Sequence, residues 1–204
     1  MKRPCALLFD IGGVITGGGP RIEVLARILH LDGDEHEALR AAVWRHRDDY
    51  DLGLAHAQYW TRVASDVGVT HLDEGTVERL LAEDIGQWDG IFPGVREMLE
   101  ELAACGYRLA ILSNASVDHA DFFRRKDWAR QVFSSMTFSS DIGHAKPEPE
   151  AFRCAVDALG TDPADVLFFD DRPGNVEAAR ETGLMARVWE GLDTAADLRG
   201  LRGN

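Results

Sequence analysis

The sequence predicts an α/β protein: a doubly wound parallel sheet with a small helical piece inserted after the first strand. Short apolar runs end in polar or acidic residues at Asp10, Ser113-Asn114 and Asp170-Asp171, as buried parallel strands do. From Ile91 onward such runs alternate with helical periods. Between about residues 20 and 90 only helical spacing appears.

The first strand is read in Ala-Leu-Leu-Phe, ending at Asp10 and breaking into Gly12-Gly13. Thr16-Gly-Gly-Gly-Pro20 then reads as a hinge, because consecutive glycines leave the backbone unrestricted until Pro20 stiffens it. Ile22, Leu25, Ile28 and Leu29 begin a series continued by Leu39, Val43 and His46, by Tyr59, Trp60, Val63 and Val67, and by Val77, Leu80, Leu81 and Ile85. Roughly four helices are expected there. Pro93-Gly94 opens a helix with Val95, Met98, Leu99 and Leu102 on one face, closed by Gly106. Strands are expected over Arg108–Leu112, about Met136–Phe138, over Val166–Phe169 and near Met185–Trp189. Two further helices carry Phe152, Ala155, Val156 and Leu159 up to Gly160, and Val176 and Ala179 up to Gly183. The expected division is a core of 1–16 and 91–204 with an insertion of 17–90.

At 45% apolar residues the 204-residue chain can bury a substantial core. A net charge of −13 argues against nucleic acid or an anionic membrane surface as the main partner, and an anionic substrate would need a local positive centre. Cys5, Cys105 and Cys154 are odd in number and widely spaced, which points to free thiols in a reducing cytoplasm. No run of about 18 apolar residues and no export signal are expected.

Parallel strands deliver their carboxyl ends to one edge of the sheet, where α/β proteins place their sites. Asp10, Ser113-Asn114, Lys146 and Asp170-Asp171 would converge there. Carboxylates so crowded repel unless a divalent cation lies between them, and all-oxygen ligation suits Mg²⁺. Such an ion, with Lys146, would receive the oxygens of a phosphoryl group, while Ser113 and Asn114 add neutral donors.

Taken together, these residues resemble the four motifs of the haloacid dehalogenase superfamily. Phe-Asp10-Ile-Gly-Gly-Val is similar to the first, Leu-Ser113-Asn114 to the second, Lys146-Pro147 to the third and Phe-Asp170-Asp171-Arg-Pro-Gly-Asn175 to the fourth. The resemblance implies a Rossmann-like sheet with a helical cap and, for most members, hydrolysis of phosphomonoesters through an aspartyl-phosphate. It makes Asp10 nucleophile and metal ligand, gives the Gly12 carbonyl and Asp171 to the metal, and sets Asp170 in its outer shell. Ser113 and Lys146 would hold phosphoryl oxygens; Asn114 and Asn175 would support the loops.

One position departs from the pattern. The phosphatases of the superfamily carry a second Asp two residues after the nucleophile, and here that residue is Gly12. The leaving group's proton carrier is therefore missing, a loss of roughly 10²–10⁴ in rate, unless Thr16, His119 or His144 replaces it. The expected function is a slowed, Mg²⁺-dependent phosphatase of small phosphorylated metabolites, cytoplasmic, and monomeric or homodimeric. The alternatives are a metal-free 2-haloacid dehalogenase and a catalytically impaired binding or regulatory protein. In the insertion, Trp44, Arg45, His46, Arg47, Tyr50 and Trp60 either grip the substrate's non-reacting part, or pack the bundle while Arg45 and Arg47 pair with Asp48 and Asp49.

Overall fold

The computed structural model describes residues 3–17 and 19–199. The middle of the glycine joint, Gly18, and both ends of the expected core lie outside the described residues. Five strands form one parallel sheet: β1 (Ala6–Phe9), β2 (Arg108–Ser113), β3 (Phe133–Phe138), β4 (Val166–Asp170) and β5 (Met185–Val188), in the order β3-β2-β1-β4-β5. All four residues of β1 are fully buried, as a central strand requires. Leu7 and Phe9 enter one apolar layer, Ala6 and Leu8 the other.

On the first face lie α6 (Val95–Ala104) and α7 (Val117–Arg124), bringing Met98, Leu99, Leu102 and Phe123 into the layer. On the second lie α10 (Pro149–Leu159) and α11 (Pro173–Glu181), with Phe152, Val156 and Val176. Phe9 stacks on Phe169 of β4 with ring centroids 4.9 Å apart, a pairing worth about 0.5–1.5 kcal/mol beyond its buried area. The sequence marks the end of α10 correctly. Gly160 takes the left-handed conformation and its N–H closes on the Val156 and Asp157 carbonyls.

β3 begins at Phe133 rather than Met136, because Ser134 and Ser135 interrupt the apolar run on an edge strand that tolerates them. The connection before it holds α7 and α8 (Asp127–Val132), two helices not expected from the sequence; α7 is capped by Ser116, whose hydroxyl accepts from the His119 N–H.

The region between β1 and α6 holds α1 (Ile22–Leu29), α2 (His36–Arg45), α3 (Arg47–Asp51), α4 (His56–Asp66) and α5 (Glu74–Gly86). The helix expected to run through His46 breaks there, at φ −104° and ψ 2°, and α3 starts afresh. These helices enclose their own apolar cluster, in which Tyr50 stacks on Tyr59 at 4.2 Å and Trp60 meets Tyr59 edge-on. Tyr50 and Trp60 are thus packing residues, whereas Trp44 is 44% exposed. Arg45 pairs with Asp66 and Asp49 with Arg62. Arg47 pairs with Asp51 and Asp84, which corrects the expected pairing with Asp48 and Asp49. Neighbouring residues on a helix point about 100° apart, while positions four apart share a face. No helix among the described residues is long and apolar enough to cross a membrane.

α3 rests against α9 (Ser139–Ile142) at the carboxyl edge of the sheet. Ser139 Oγ donates to the Asp51 carbonyl at 2.5 Å, Tyr50 donates to Asp118, and an Arg47 amino group lies 3.4 Å from His119 Nε2. An arginine only donates, so Nε2 accepts and Nδ1–H donates to Ser116 Oγ at 2.8 Å. Burial lowers the pKa of His119 from 6.5 to about 4, opposed by Asp84. Below pH 6.5 the unfolded chain takes up this proton and the folded one does not. The associated stability is complete above about pH 6.5 and declines toward pH 4, by at most about 3 kcal/mol. Urea unfolding of wild type and His119→Gln from pH 7.5 to 4.5 tests this: the variant should lose less stability, and parallel curves would refute it.

Candidate active site

The register sets the site. Phe9 pairs with Ile111 on one side and with Phe169 on the other, so Asp10 emerges level with Asp170 and one residue short of Ser113. The Asp10 N–H continues the ladder to the Phe169 carbonyl at 2.9 Å. Asp10 Oδ1 accepts from Ser113 Oγ at 2.8 Å and lies 2.9 Å from Lys146 Nζ. The same ammonium donates to Asp170 Oδ2 at 2.6 Å, so one lysine bridges acids 160 residues apart in sequence.

Supporting groups lock these positions. The Asn114 amide exchanges two 2.8 Å hydrogen bonds with the backbone of Lys146. Asn175 Nδ2 donates to both oxygens of Asp170, and the Arg172 N–H donates to Oδ1. Asp170 is fully buried. Burial raises the pKa of Asp10 to about 6, Lys146 resisting and Asp170 adding to the rise. Burial alone would lower Lys146, but Asp10 and Asp170 together raise it, so it stays an ammonium. The partly exposed Asp171 is also raised, first by burial and then by Asp170.

Oxygens of Asp10, Asp170 and Asp171 lie within 4.8 Å of one another. Three carboxylates beside one ammonium leave excess negative charge on hard oxygen donors, which fits a divalent cation such as Mg²⁺. Asp170 already serves Lys146 and Asn175, so Asp10 and Asp171 are the freer ligands. Asp171 occupies the space a side chain at Gly13 would fill: a Cβ there would sit 2.4 Å from Asp171 Oδ2, on a backbone with φ +78°. Gly13→Ala should therefore displace Asp171 and weaken Mg²⁺ binding by about 10–100-fold, the scale of disturbed ligand support. Calorimetric titration with Mg²⁺ checks this, and unchanged affinity would remove Asp171 from the ligand set.

The three alternative proton carriers are not brought to the site. Thr16 is fully buried and its hydroxyl turns to the Gly17 carbonyl. His119 is sealed behind Arg47, and His144 pairs with Glu148 at the surface. A cavity of about 280 Å³ opens over Asp10, Gly12, Ser113, Asn114, Lys146 and Asp171. Its far wall includes Trp44, Arg47, Asp48, Asp51 and Gln87. From the sequence Asp48 was read only as a partner of Arg45 and Arg47 and Arg172 only as part of the fourth motif, while Asp51 and Gln87 were not singled out; the four-residue spacing of Arg47 and Asp51 was the one available signal.

A model of the haloacid dehalogenase-like hydrolases matches residues 6–183. The chain belongs to this family. It is 34% identical over 186 residues to Phosphatase MT3486 of Mycobacterium tuberculosis, covering 89% of this chain and 85% of that one. It is 34% identical over 104 residues to flavin mononucleotide hydrolase 1 of Arabidopsis thaliana, covering 50% of this chain and 42% of the relative. For that hydrolase and for Protein CbbY of Rhodobacter capsulatus, at 54%, the chain spans about half the relative's length. A HAD family enzyme of Bacteroides thetaiotaomicron, solved with magnesium and inorganic phosphate, shares the fold with a TM-score of 0.70, 21% identity and coverage of 95% and 98%. The L-2-haloacid dehalogenase of Xanthobacter autotrophicus does so at 0.65, 19% identity and coverage of 95% and 80%.

Proposed function

We propose that this hydrolase is a Mg²⁺-dependent phosphatase of small phosphate esters, with Asp10 as nucleophile. The reading is carried by the bridging of Asp10 and Asp170 through Lys146, with Asp171 close enough to share a cation. Magnesium, held by Asp10, Asp171 and the Gly12 carbonyl, would supply charge stabilisation for the phosphoryl oxygens. An Asp10 oxygen attacks phosphorus, the bond from phosphorus to the ester oxygen breaks, and an aspartyl-phosphate forms. Ser113 and Lys146, now on Asp10 Oδ1, pass to the phosphoryl oxygens as these gain charge. Asn114 holds the lysine loop, and Asn175 keeps Asp170 aimed at the lysine. With glycine at position 12, the departing alkoxide takes its proton from solvent. Water then cleaves the acyl phosphate, releasing phosphate and restoring Asp10.

We assign residues 17–90 to a cap over a core of 1–16 and 91–204; the separate apolar cluster of the inserted helices and the Trp44, Arg47 and Asp48 wall support this. The acidic chain and free cysteines favour a cytoplasmic setting with a small-molecule partner. Turnover of a phosphate-ester panel should stop in chelator and return with Mg²⁺. Chloride release from 2-haloacids that persists in chelator would replace this reading with the dehalogenase. Cation binding without turnover of any ester would replace it with a binding protein.

A further inference from the structure

The cavity wall facing Asp10 has an uneven supply of hydrogen-bonding groups. All three nitrogens of Arg47 are already engaged: Nε with Asp51 at 3.0 Å, one amino group with both oxygens of Asp84 at 3.1 and 3.3 Å, the other with His119 at 3.4 Å. Its charge is thereby countered by two carboxylates. Gln87 donates through Nε2 to the Asp84 carbonyl and to Asp84 Oδ1; both partners are acceptors, which fixes the amide's orientation. Its other end, Oε1, is sealed from solvent behind this wall and has no hydrogen-bond partner among the described residues. An orphaned buried acceptor of this kind is costly until something donates to it. Asp48 adds a carboxylate without a side-chain partner among the described residues, close enough to Asp51 to raise its pKa. Trp44, 44% exposed on the same wall, offers an aromatic surface. The remaining cation, Arg172, sits on the phosphoryl side and acts on Asp171.

We propose that the cavity selects phosphomonoesters whose leaving group carries hydrogen-bond donors, ammonium or hydroxyl, and no second anion, with the exposed Asp48 carboxylate as the specificity-determining acceptor. This rests on the phosphatase reading of the same site. A carboxylate on the leaving group would meet Asp48 beside the group of Arg47, Asp51 and Asp84, one positive charge against two negative, with Arg172 away on the phosphoryl side, a repulsion that discriminates against it. An ammonium would meet the Asp48 carboxylate, which has no side-chain partner among the described residues.

Phosphoethanolamine and phosphoglycolate are near-isosteric and differ in the sign of that terminal charge, so they make the test. With Mg²⁺, kcat/KM is expected to fall in the order phosphoethanolamine, glycerol phosphate, phosphoglycolate, with at least about tenfold between the first and last. Asp48→Lys, at an exposed position, should invert the order of the charged pair. p-Nitrophenyl phosphate reports hydrolysis itself. If it is cleaved while phosphoglycolate equals or exceeds phosphoethanolamine, or while Asp48→Lys leaves their ratio unmoved, the selectivity inference falls alone. If none of the four esters is cleaved, the phosphatase reading falls and takes the inference with it.

Discussion

Gly12→Asp is expected to raise kcat on phosphate esters by about 10²–10⁴-fold, the usual worth of a positioned general acid and base. Position 12 lies on the cavity two residues after the nucleophile, and a Cβ built there meets nothing within 4 Å. Its backbone is outside the left-handed region, so a side chain costs no strain. The added carboxyl would give its proton to the departing alkoxide and then take one from the water that attacks the acyl phosphate. The gain should be greatest for esters with poor leaving groups, since these depend most on protonation, and smallest for p-nitrophenyl phosphate. Steady-state kinetics across such a series checks it. An unchanged rate with Mg²⁺ binding intact would mean that proton transfer to the leaving group does not limit this enzyme.

Asp10→Asn is expected to lower turnover by about 10⁴-fold or more, on the scale seen when a covalent nucleophile is removed. The shape of the site survives: Ser113 can still donate to the amide oxygen, and Lys146 keeps Asp170 at 2.6 Å. Stability should move the other way. Burial raises the pKa of Asp10 from 3.8 to about 6, so above pH 6 its ionised form costs the folded state more than the unfolded chain. That penalty is absent when the pH is low enough to protonate the acid, and it is removed by the amide. The metal-free variant should therefore melt no lower than wild type at pH 7.5, while its turnover collapses. Full turnover by the variant would remove Asp10 from the chemistry.

Much of the core was legible because its signals are local. The β1 run is apolar on every residue since both faces are covered, and the α6 residues Val95, Met98, Leu99 and Leu102 recur at helical spacing since one face is. The edge strand β3 was read too late, because Ser134 and Ser135 break its apolar run and leave no periodic trace. α7 and α8 were passed over for a related reason: between Ser116 and Val132 the pairs Phe122-Phe123 and Trp128-Ala129 are separated by the charged run Arg124-Arg125-Lys126-Asp127, which breaks any helical period.

The amino-acid sequence by itself determined most of the alternation of strands and helices, which acids and amides stand at strand ends, and which lysine stands in the loop that meets them. Those properties follow from backbone periodicity and from the rule that parallel strands share an edge. Only the tertiary structure decided that Arg47 answers to Asp51, Asp84 and His119 rather than to Asp48 and Asp49, that His119 is sealed away, and that Asp48 and Gln87 face Asp10 across a cavity. The physical reason is that these relations depend on how α3 and α5 dock against the sheet edge. Docking angle is set by side-chain packing between segments far apart in sequence, which no local pattern encodes.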